Sequence, residues 1–254
     1  MPATIEEVLA EADRVLEPGR FRDYCVNGLQ VPGAGEVSRI VTGVSANLEL
    51  IELAASGRAD LLLVHHGLFW GDGVRAIDAV LAGRLRVLFG AGIALAAYHL
   101  PLDAHPHIGN NALLAQALGA SRQEPFALHG GEPIGVLAEL PADGTAIDAL
   151  LAQVMGATGR EPRRFGSGPD SVARLAIVSG AGADYLEDAA AAGADALLTG
   201  EIAERSPALA DEAGVHLIEA GHHATERLGI RRLGSDLADR FGLEHHFIDV
   251  PNPV

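Results

Sequence analysis

Short apolar runs alternate with amphipathic segments along most of this chain. Continuous apolar runs are typical of strands buried on both faces of a sheet, and longer amphipathic segments are typical of helices. The predicted strands are 38–44, 60–65, 93–98 and 134–139. The predicted helices are 4–16, with a capping box at Thr4 and Glu7, then 47–57, 75–91, 110–118 and 145–155. This alternation predicts an α/β fold with a largely parallel sheet.

Glycine and proline mark the places where this pattern is interrupted. Segment 119–133 is rich in both and is a candidate boundary between two domains. Residues 156–172, rich in Gly, Pro and Arg, are expected to form an exposed loop. We therefore expect one domain over 1–126 and a second over 127–254, with the C-terminal segment packing back on the first.

The second half of the chain repeats part of the first half at a spacing of 135 residues. The matching segments are 39–41 with 174–176 and 59–63 with 194–198. At the same spacing, His66 corresponds to Glu201. Chance similarity between alanine- and leucine-rich units would explain the match. The alternative is a duplication, which predicts two similar α/β domains, each with a mostly parallel or mixed sheet and flanking helices.

Composition limits the classes of partner and compartment. The 254 residues are 48% hydrophobic, enough for one large core or two smaller ones. The formal net charge of -16 argues against general affinity for nucleic acid or anionic membranes. The single cysteine, Cys25, excludes an intrachain disulfide, and no apolar run approaches the ~20 residues that cross a bilayer. We expect a cytoplasmic protein without membrane association.

Five metal-capable side chains occur at three separated places, each at the expected end of a buried strand or start of a helix. They are His65, His66, Asp103, His222 and Glu226. Imidazoles and carboxylates without thiolates are the ligands used for Zn, Mn, Fe(II) or Co in hydrolytic sites. If the three places converge in space, they form a metal site, and two metals are favoured over one.

The first two places have local sequence that suits a ligand and also admits a structural role. Adjacent strand residues point to opposite faces, so His65 and His66 reach one centre only if the backbone turns, which Gly67 allows. The alternative is a pair of structural histidines. Asp103 follows Pro101, which we expect to fix a stiff loop. The alternative there is an ordinary turn or N-cap carboxylate.

At the third place, His222 and Glu226 are four residues apart and would share one face of a helix. The alternative is an ordinary helix N-terminus with a Glu favoured by the helix dipole.

His99 is a candidate proton shuttle or substrate contact, because an imidazole titrates near neutral pH. His245-His246 is expected to lie on a strand surface rather than in a site.

Six segments occur in a characteristic order: 27–31, 64–70, 98–103, 109–111, 199–201 and 221–226. Together they resemble the Nif-three-like dinuclear-metal proteins, also named GTP cyclohydrolase I type 2 homologues, over essentially the whole chain. The resemblance implies a toroidal homohexamer with metal centres facing an internal cavity. It also implies two divalent metal ions per subunit. One would be held by His66, Asp103 and Glu226. The other would be held by His65, His222 and Glu226, with Glu226 bridging.

The ligand set and the resemblance together predict a metal-dependent hydrolase of nucleotides or nucleotide-like compounds. Two divalent ions that share a hydroxide would lower its pKa toward neutrality. The alternative is a non-catalytic, metal-binding hexameric scaffold or regulator, because no phosphate-binding loop and no base-recognition motif is visible in the sequence. A ring-shaped nucleic-acid clamp is disfavoured by the negative net charge.

Overall fold

The computed structural model describes residues 3–71, 76–141 and 143–254. The chain divides into two compact units, and each is formed by two stretches of sequence. The first unit comprises residues up to Leu102 together with Gly229–Val250, and the second comprises Asp103–Leu228 together with Pro251–Val254. The glycine-rich segment 119–133, where a boundary is expected from the sequence, therefore lies inside the second unit.

Strands and helices alternate through the described residues. The strands are β1 (Ala3–Thr4), β2 (Gly28–Val31), β3 (Glu36–Val37), β4 (Arg39–Ser45), β5 (Leu61–His66), β6 (Ala94–Ala97), β7 (Arg122–His129), β8 (Glu132–Glu139), β9 (Thr145–Ala146), β10 (Arg163–Phe165), β11 (Ser171–Val172), β12 (Arg174–Val178), β13 (Ala196–Thr199), β14 (His216–Glu219) and β15 (Glu244–Phe247). The helices are α1 (Ile5–Leu16), α2 (Leu48–Ser56), α3 (Ala79–Ala91), α4 (Leu100–Ala104), α5 (Asn110–Ala117), α6 (Ile147–Thr158), α7 (Leu186–Ala191), α8 (Ser206–Ala213), α9 (His222–Thr225) and α10 (Arg227–Phe241).

The first unit is built on a five-stranded sheet in the order β15-β4-β5-β6-β2. The first four strands are parallel, and β2 pairs antiparallel with β6 at the edge. Residues 61–64 of β5 are all fully buried, which explains why this strand is an unbroken apolar run rather than an alternating one. The predicted strands at 38–44, 60–65 and 93–98 are confirmed as β4, β5 and β6.

The second unit is built on a six-stranded sheet in the order β10-β14-β13-β12-β8-β7. Its central strands β12, β13 and β14 are parallel, and β10 pairs antiparallel with β14 at one edge. At the other edge, the hairpin of β7 and β8 adds two antiparallel strands. The predicted strand at 134–139 is confirmed as β8.

The two units share a core of three parallel strands with one antiparallel edge strand. They also share one pair of hydrogen bonds, called the latch below, in which an Asp carboxylate accepts from two consecutive backbone N–H groups at the start of the neighbouring strand. Asp60 Oδ2 accepts hydrogen bonds from the Ser38 and Arg39 N–H groups, at 2.8 and 2.9 Å. Asp195 Oδ2 accepts from Ala173 and Arg174 at the same two distances. The α/β fold class with two similar units and mixed sheets is confirmed.

Helix ends follow the predicted capping residues. The Thr4 hydroxyl accepts from the Glu7 N–H at 3.2 Å, and the Glu7 carboxylate accepts from the Thr4 N–H at 2.9 Å, which completes a capping box on α1. The helix predicted over 47–57 is α2, with Asn47 as its N-cap and Gly57 as its C-cap. Within the described part of the chain, no helix has the length and apolar character needed to cross a bilayer.

Some local predictions differ from the structure. Segment 119–133, expected as a boundary between domains, contains the pairing of β7 with the start of β8. Residues 156–172 contain the short strands β10 and β11, which partners far along the chain hold in place. The helix predicted over 75–91 begins at Ala79, after the N-cap Asp78. Arg75, at its predicted start, lies outside the described residues.

Asp103 lies on the short helix α4 rather than on the expected loop. Pro101 occupies the first turn of this helix. Its missing N–H costs nothing there, since the first N–H groups of a helix have no partner within the helix. The turn closes with a hydrogen bond from the Leu102 N–H to the His99 carbonyl at 2.9 Å. The carboxylate is therefore presented by a rigid helical turn.

Candidate metal site

Three histidines of the first unit meet beyond the carboxyl ends of β5 and β6. His65 and His66 end β5, and His99 follows β6. One nitrogen from each ring lies within 4.8 Å of the others, which is close enough for all three to face one metal ion. The ring centroids of His65 and His66 are 4.7 Å apart, and those of His65 and His99 are 5.0 Å apart.

The backbone holds the fully buried ring of His65 in one tautomer. Its Nδ1 lies 2.9 Å from the carbonyl oxygen of Tyr98. A carbonyl can only accept a hydrogen bond, so Nδ1 is the donor, and in the neutral imidazole the lone pair is then on Nε2. A histidine whose other nitrogen donates to a backbone carbonyl is the usual form of a metal-bound imidazole. This arrangement fits a divalent metal, since the backbone bond fixes the ring and leaves Nε2 as the nitrogen for a ligand bond.

Neighbouring groups also orient the other two rings of the cluster. His66 Nδ1 lies 3.0 Å from the hydroxyl of Ser45, at the end of the adjacent strand β4. His99 Nδ1 donates to Asp23 Oδ1 at 2.8 Å. Because a carboxylate only accepts, this bond leaves His99 Nε2 as the nitrogen able to take up a proton.

Asp23 is a residue that sequence reasoning misses. Besides the imidazole of His99, its carboxylate accepts from the N–H groups of Cys25 and Leu100 and from the amide of Asn27. Burial would raise the pKa of Asp23. The hydrogen bond and the charge of His99, together with hydrogen bonds from Asn27 and the Cys25 backbone, outweigh burial and lower the pKa to about 2. In the sequence, the only pointer to Asp23 is its position four residues before Asn27, in a segment without a helix or strand pattern.

In the second unit, His222 lies between two carboxylates. Its Nε2 is 3.1 Å from Glu226 Oε1, and its Nδ1 is 3.3 Å from Glu201 Oε1. Burial alone would lower the pKa of His222, but hydrogen bonds and charges from Glu226 and Glu201 outweigh burial and raise it to about 9. The prediction that His222 begins a helix is confirmed by α9, and the contact with Glu226 follows from the four-residue spacing.

A glycine makes room for this pair. Gly180 follows β12 with a φ of +63°, and a Cβ there would lie 2.3 Å from Glu226 Oε1 and 3.1 Å from His222 Nε2. Its N–H donates to the Thr225 hydroxyl at 3.1 Å. Any other residue at position 180 would occupy the place where the ligand atoms of His222 and Glu226 meet.

Asp103 is held by a buried polar network in the second unit. Its Oδ1 accepts from the Asn110 amide at 2.8 Å and from the Ser179 hydroxyl at 3.1 Å. Asn111 supports both sides, because its amide donates to the Asp103 carbonyl at 3.3 Å and its Oδ1 accepts from the Ser179 N–H at 2.7 Å. The two adjacent asparagines therefore position the Asp103 carboxylate.

Other histidines and the cysteine have structural roles. His105 Nδ1 accepts from the backbone N–H groups of His107 and Ile108 and caps a turn. His245, on the edge strand β15, lies 2.8 Å from the Thr42 hydroxyl through Nε2. Cys25 is buried, and burial raises the pKa of its thiol, which makes it a poor nucleophile.

His65 and His66 end the parallel strand β5, His99 follows β6, and His222 and Glu226 follow the parallel strand β14. In open α/β sheets, the carboxyl ends of the strands form the edge at which ligands bind. The described residues thus include groups of His, Asp and Glu side chains that could hold a metal ion.

Comparison with known proteins finds bacterial relatives that match nearly the whole chain. A protein of Pseudomonas aeruginosa named GTP cyclohydrolase 1 type 2 homolog is 44% identical over 263 residues, which cover 100% of both chains. A protein of Allochromatium vinosum with the same name is 42% identical over 253 residues, which cover 98% of this chain and 97% of the relative.

Solved structures agree with the sequence relatives. Protein ybgI, described as of unknown function, superposes with a TM-score of 0.92 at 39% identity, over 99% of this chain and 100% of that chain. A protein from Thermus thermophilus superposes with a TM-score of 0.91 at 34% identity, with the same coverage. The family model for Duf34/NIF3 (NGG1p interacting factor 3) matches residues 3–253. The chain therefore belongs to the Duf34/NIF3 family.

Proposed function

We propose that this protein is a hydrolase of nucleotides or nucleotide-like compounds that uses two divalent metal ions, Zn, Mn, Fe or Co. His66, Asp103 and Glu226 would hold one ion. His65, His222 and Glu226 would hold the other, with Glu226 shared by both. The observation that carries the proposal is the backbone hydrogen bond of His65, whose Nδ1 donates to the Tyr98 carbonyl and leaves Nε2 as the nitrogen for a metal.

When bound at these residues, two divalent ions would supply Lewis-acid chemistry for the attack of water on the substrate. The protein supplies orientation around them. The Tyr98 carbonyl aims the ring of His65, and Asn110 with Ser179 aims the carboxylate of Asp103. Buried ligands that other groups hold in place do not need to reorganise when substrate binds.

His99 handles the proton. Asp23 accepts from His99 Nδ1, which holds the ring in the tautomer whose Nε2 takes a proton from the attacking group or returns it to the leaving group. Asp23 stays ionised through the neutral range, because its pKa lies near 2, and it therefore remains an acceptor for His99 Nδ1. The relatives named GTP cyclohydrolase 1 type 2 homolog support nucleotide-like substrates as the first class to assay.

The test loads metal-stripped protein with each of the four metals and measures bound metal and turnover of GTP and other nucleotides. We expect two metal ions per chain and metal-dependent turnover, both lost in Glu226→Gln. His246→Ala is the matched control, since His246 is an exposed histidine on β15. Metal content that does not differ between Glu226→Gln and the native chain would contradict the site. Full metal binding without turnover of any nucleotide would contradict the hydrolase.

A second candidate is a non-catalytic scaffold or regulator that binds the same metals as a toroidal homohexamer. Exposed large apolar side chains favour assembly in either case, and Ile77 and Val80, just before and at the start of α3, are among the most exposed. Sedimentation would give six times the chain mass for the hexamer. Val80→Glu should dissociate the assembly if α3 lies in the interface. The single buried thiol, Cys25, fits a reducing compartment such as the cytoplasm.

A further inference from the structure

An aromatic pair, Tyr24 and Trp70, lies beside the histidine cluster of the first unit. The two rings are stacked, with centroids 6.2 Å apart and an interplanar angle of 28°. Both also contact His99, at 5.4 Å from Tyr24 and 5.1 Å from Trp70. Trp70 lies 5.7 Å from His66. Aromatic surface therefore continues from the imidazoles to the two rings of the pair.

The backbone fixes the aromatic pair in place. The Val26 N–H donates to the Phe69 carbonyl at 3.1 Å, and the Gly71 N–H donates to the Tyr24 carbonyl at 2.5 Å. The indole N–H of Trp70 donates to the Gly67 carbonyl at 2.9 Å, which sets the plane of the ring. A ligand that stacks on rings already held in position loses little affinity to their ordering.

Part of this surface faces solvent. Tyr24 is 52% exposed, and the neighbouring Val26 and Leu29 are exposed as well. A single exposed apolar side chain needs no explanation, but here three lie within segment 24–29, and the ring of one, Tyr24, contacts the buried His99. An aromatic face with that neighbour has the composition of a ligand pocket, in which apolar walls flank a few polar groups.

We propose that the aromatic pair binds the planar heteroaromatic ring of the substrate by stacking and places it beside His66 and His99. This inference rests on the proposed function and narrows its substrate class to compounds with a nucleobase-like ring. Stacking uses the π-face that every such ring has, so it needs no hydrogen-bonding motif. This agrees with the lack of a base-recognition motif in the sequence.

Trp70 is the only tryptophan of the chain, so its fluorescence reports on this place alone. The experiment titrates guanosine into the metal-stripped full-length chain and follows that fluorescence. Guanosine carries the ring without phosphates, and no metal or turnover is needed for it to bind. We expect a saturable change with guanosine and none with ribose, which lacks the ring.

Two variants at one position separate stacking from other effects. Tyr24→Ala removes the ring and should weaken guanosine binding by roughly tenfold to a hundredfold. Tyr24→Phe keeps the ring and should retain affinity within about twofold. Phe89→Ala is the matched control, since Phe89 is another exposed aromatic of the same unit, at 59% exposure, and the affinity should stay unchanged. Thermal unfolding of each variant establishes that the chain is folded.

Several results would overturn the inference. They are the absence of a saturable change with guanosine, adenosine, cytidine and uridine, an equal response to ribose, and an equal loss in Phe89→Ala. If Tyr24→Ala changes the sedimenting mass but not guanosine affinity, the face is a subunit contact and the inference is wrong. Metal-dependent turnover insensitive to Tyr24→Ala would remove this inference and keep the proposed hydrolase. Guanosine binding that depends on Tyr24, without turnover of any nucleotide, would keep this inference and remove the proposed hydrolase.

Discussion

The two units place different side chains on the same strand frame. Strand β5 ends in His65-His66, whereas the matching position after β13, 135 residues later, is Gly200-Glu201. Around its strand ends the first unit has three imidazoles, and the second unit has carboxylates around one imidazole, His222. The frame was thus kept while the residues at its functional edge diverged.

The hydrogen bonds that the two units share explain why their site residues can differ. The Asp60 and Asp195 latches lie at the opposite ends of the strands from the site residues, where β4 and β12 begin. Arg39 and Arg174 also bind matching carbonyls, those of Gly57 and Ala192. Because these hydrogen bonds stabilise each sheet at the end where β4 and β12 begin, the site residues at the opposite end can differ without loss of the fold. Each prediction below tests one matched pair of positions or one mismatched pair.

The largest expected effect concerns the matched core leucines. Leu63 in β5 and Leu198 in β13 are both fully buried. Replacing either with alanine removes the same atoms and leaves a cavity, so each change should cost about 3–5 kcal/mol of unfolding free energy. Urea unfolding followed by circular dichroism measures it, with Trp70 fluorescence as a probe of the first unit. A gap above about 2 kcal/mol between the two costs would show that the positions are not equivalent.

The next effect concerns the two latches. Asp60→Ala and Asp195→Ala each remove a charged acceptor from two backbone N–H groups, and each should lose about 1.5–3 kcal/mol of stability. Asp60→Asn and Asp195→Asn keep an oxygen acceptor and serve as controls that lose less. The same unfolding experiment applies. If alanine and asparagine were equally destabilising at either position, the hydrogen bonds would not be the cause.

The matched frame is also the part that sequence patterns predict well. The apolar run at residues 61–64 requires burial on both faces, and the Thr4–Glu7 spacing requires no knowledge of the fold. Strand β7 could not be predicted, because Pro125 and the polar residues beside it resemble a loop. Pairing with β8 makes this segment a strand.

The candidate site also has residues that the sequence predicts and one that it does not. Residue type and strand-end position are enough to nominate His65, His66 and His222, because parallel strands bring such ends to one edge of a sheet. Asp23 was missed because its partner His99 lies 76 residues away and nothing local links the two. A side chain that acts by orienting another becomes visible only when the contact is known.

A smaller effect is expected where the two units differ most. Glu201 matches His66 in the repeat but lies 3.3 Å from His222 Nδ1, so we predict that it positions that imidazole toward the metal. Glu201→Ala should weaken metal affinity about 10- to 100-fold, and Glu201→Gln should restore part of it. Competition with a chelator measures the affinity. Glu204→Ala, at an exposed neighbour, is the control. Unchanged affinity in Glu201→Ala would leave Glu201 without a role at the site.

The smallest effect concerns the helix that opens each unit's repeat. Helices α1 and α6 both have 12 residues and both follow a two-residue strand, but α1 has Thr4 as its N-cap and α6 has the exposed Ala146, whose side chain makes no capping bond. Thr4→Ala should therefore cost about 1 kcal/mol, and Ala146→Thr should add about 0.5–1 kcal/mol.

The backbone of Ala146 supports this gain, because its φ of -54° and ψ of 137° are already the extended geometry of an N-cap. Thermal unfolding would register the two changes with opposite signs. Ala146→Ser is a second capping variant, and Ala146→Val is the control that adds bulk without an acceptor. If serine and threonine gave no more stability than valine, the difference between the two helices would not lie in their caps. Stabilisation by both would show that the missing cap is what makes α6 less stable at its N-terminus than α1.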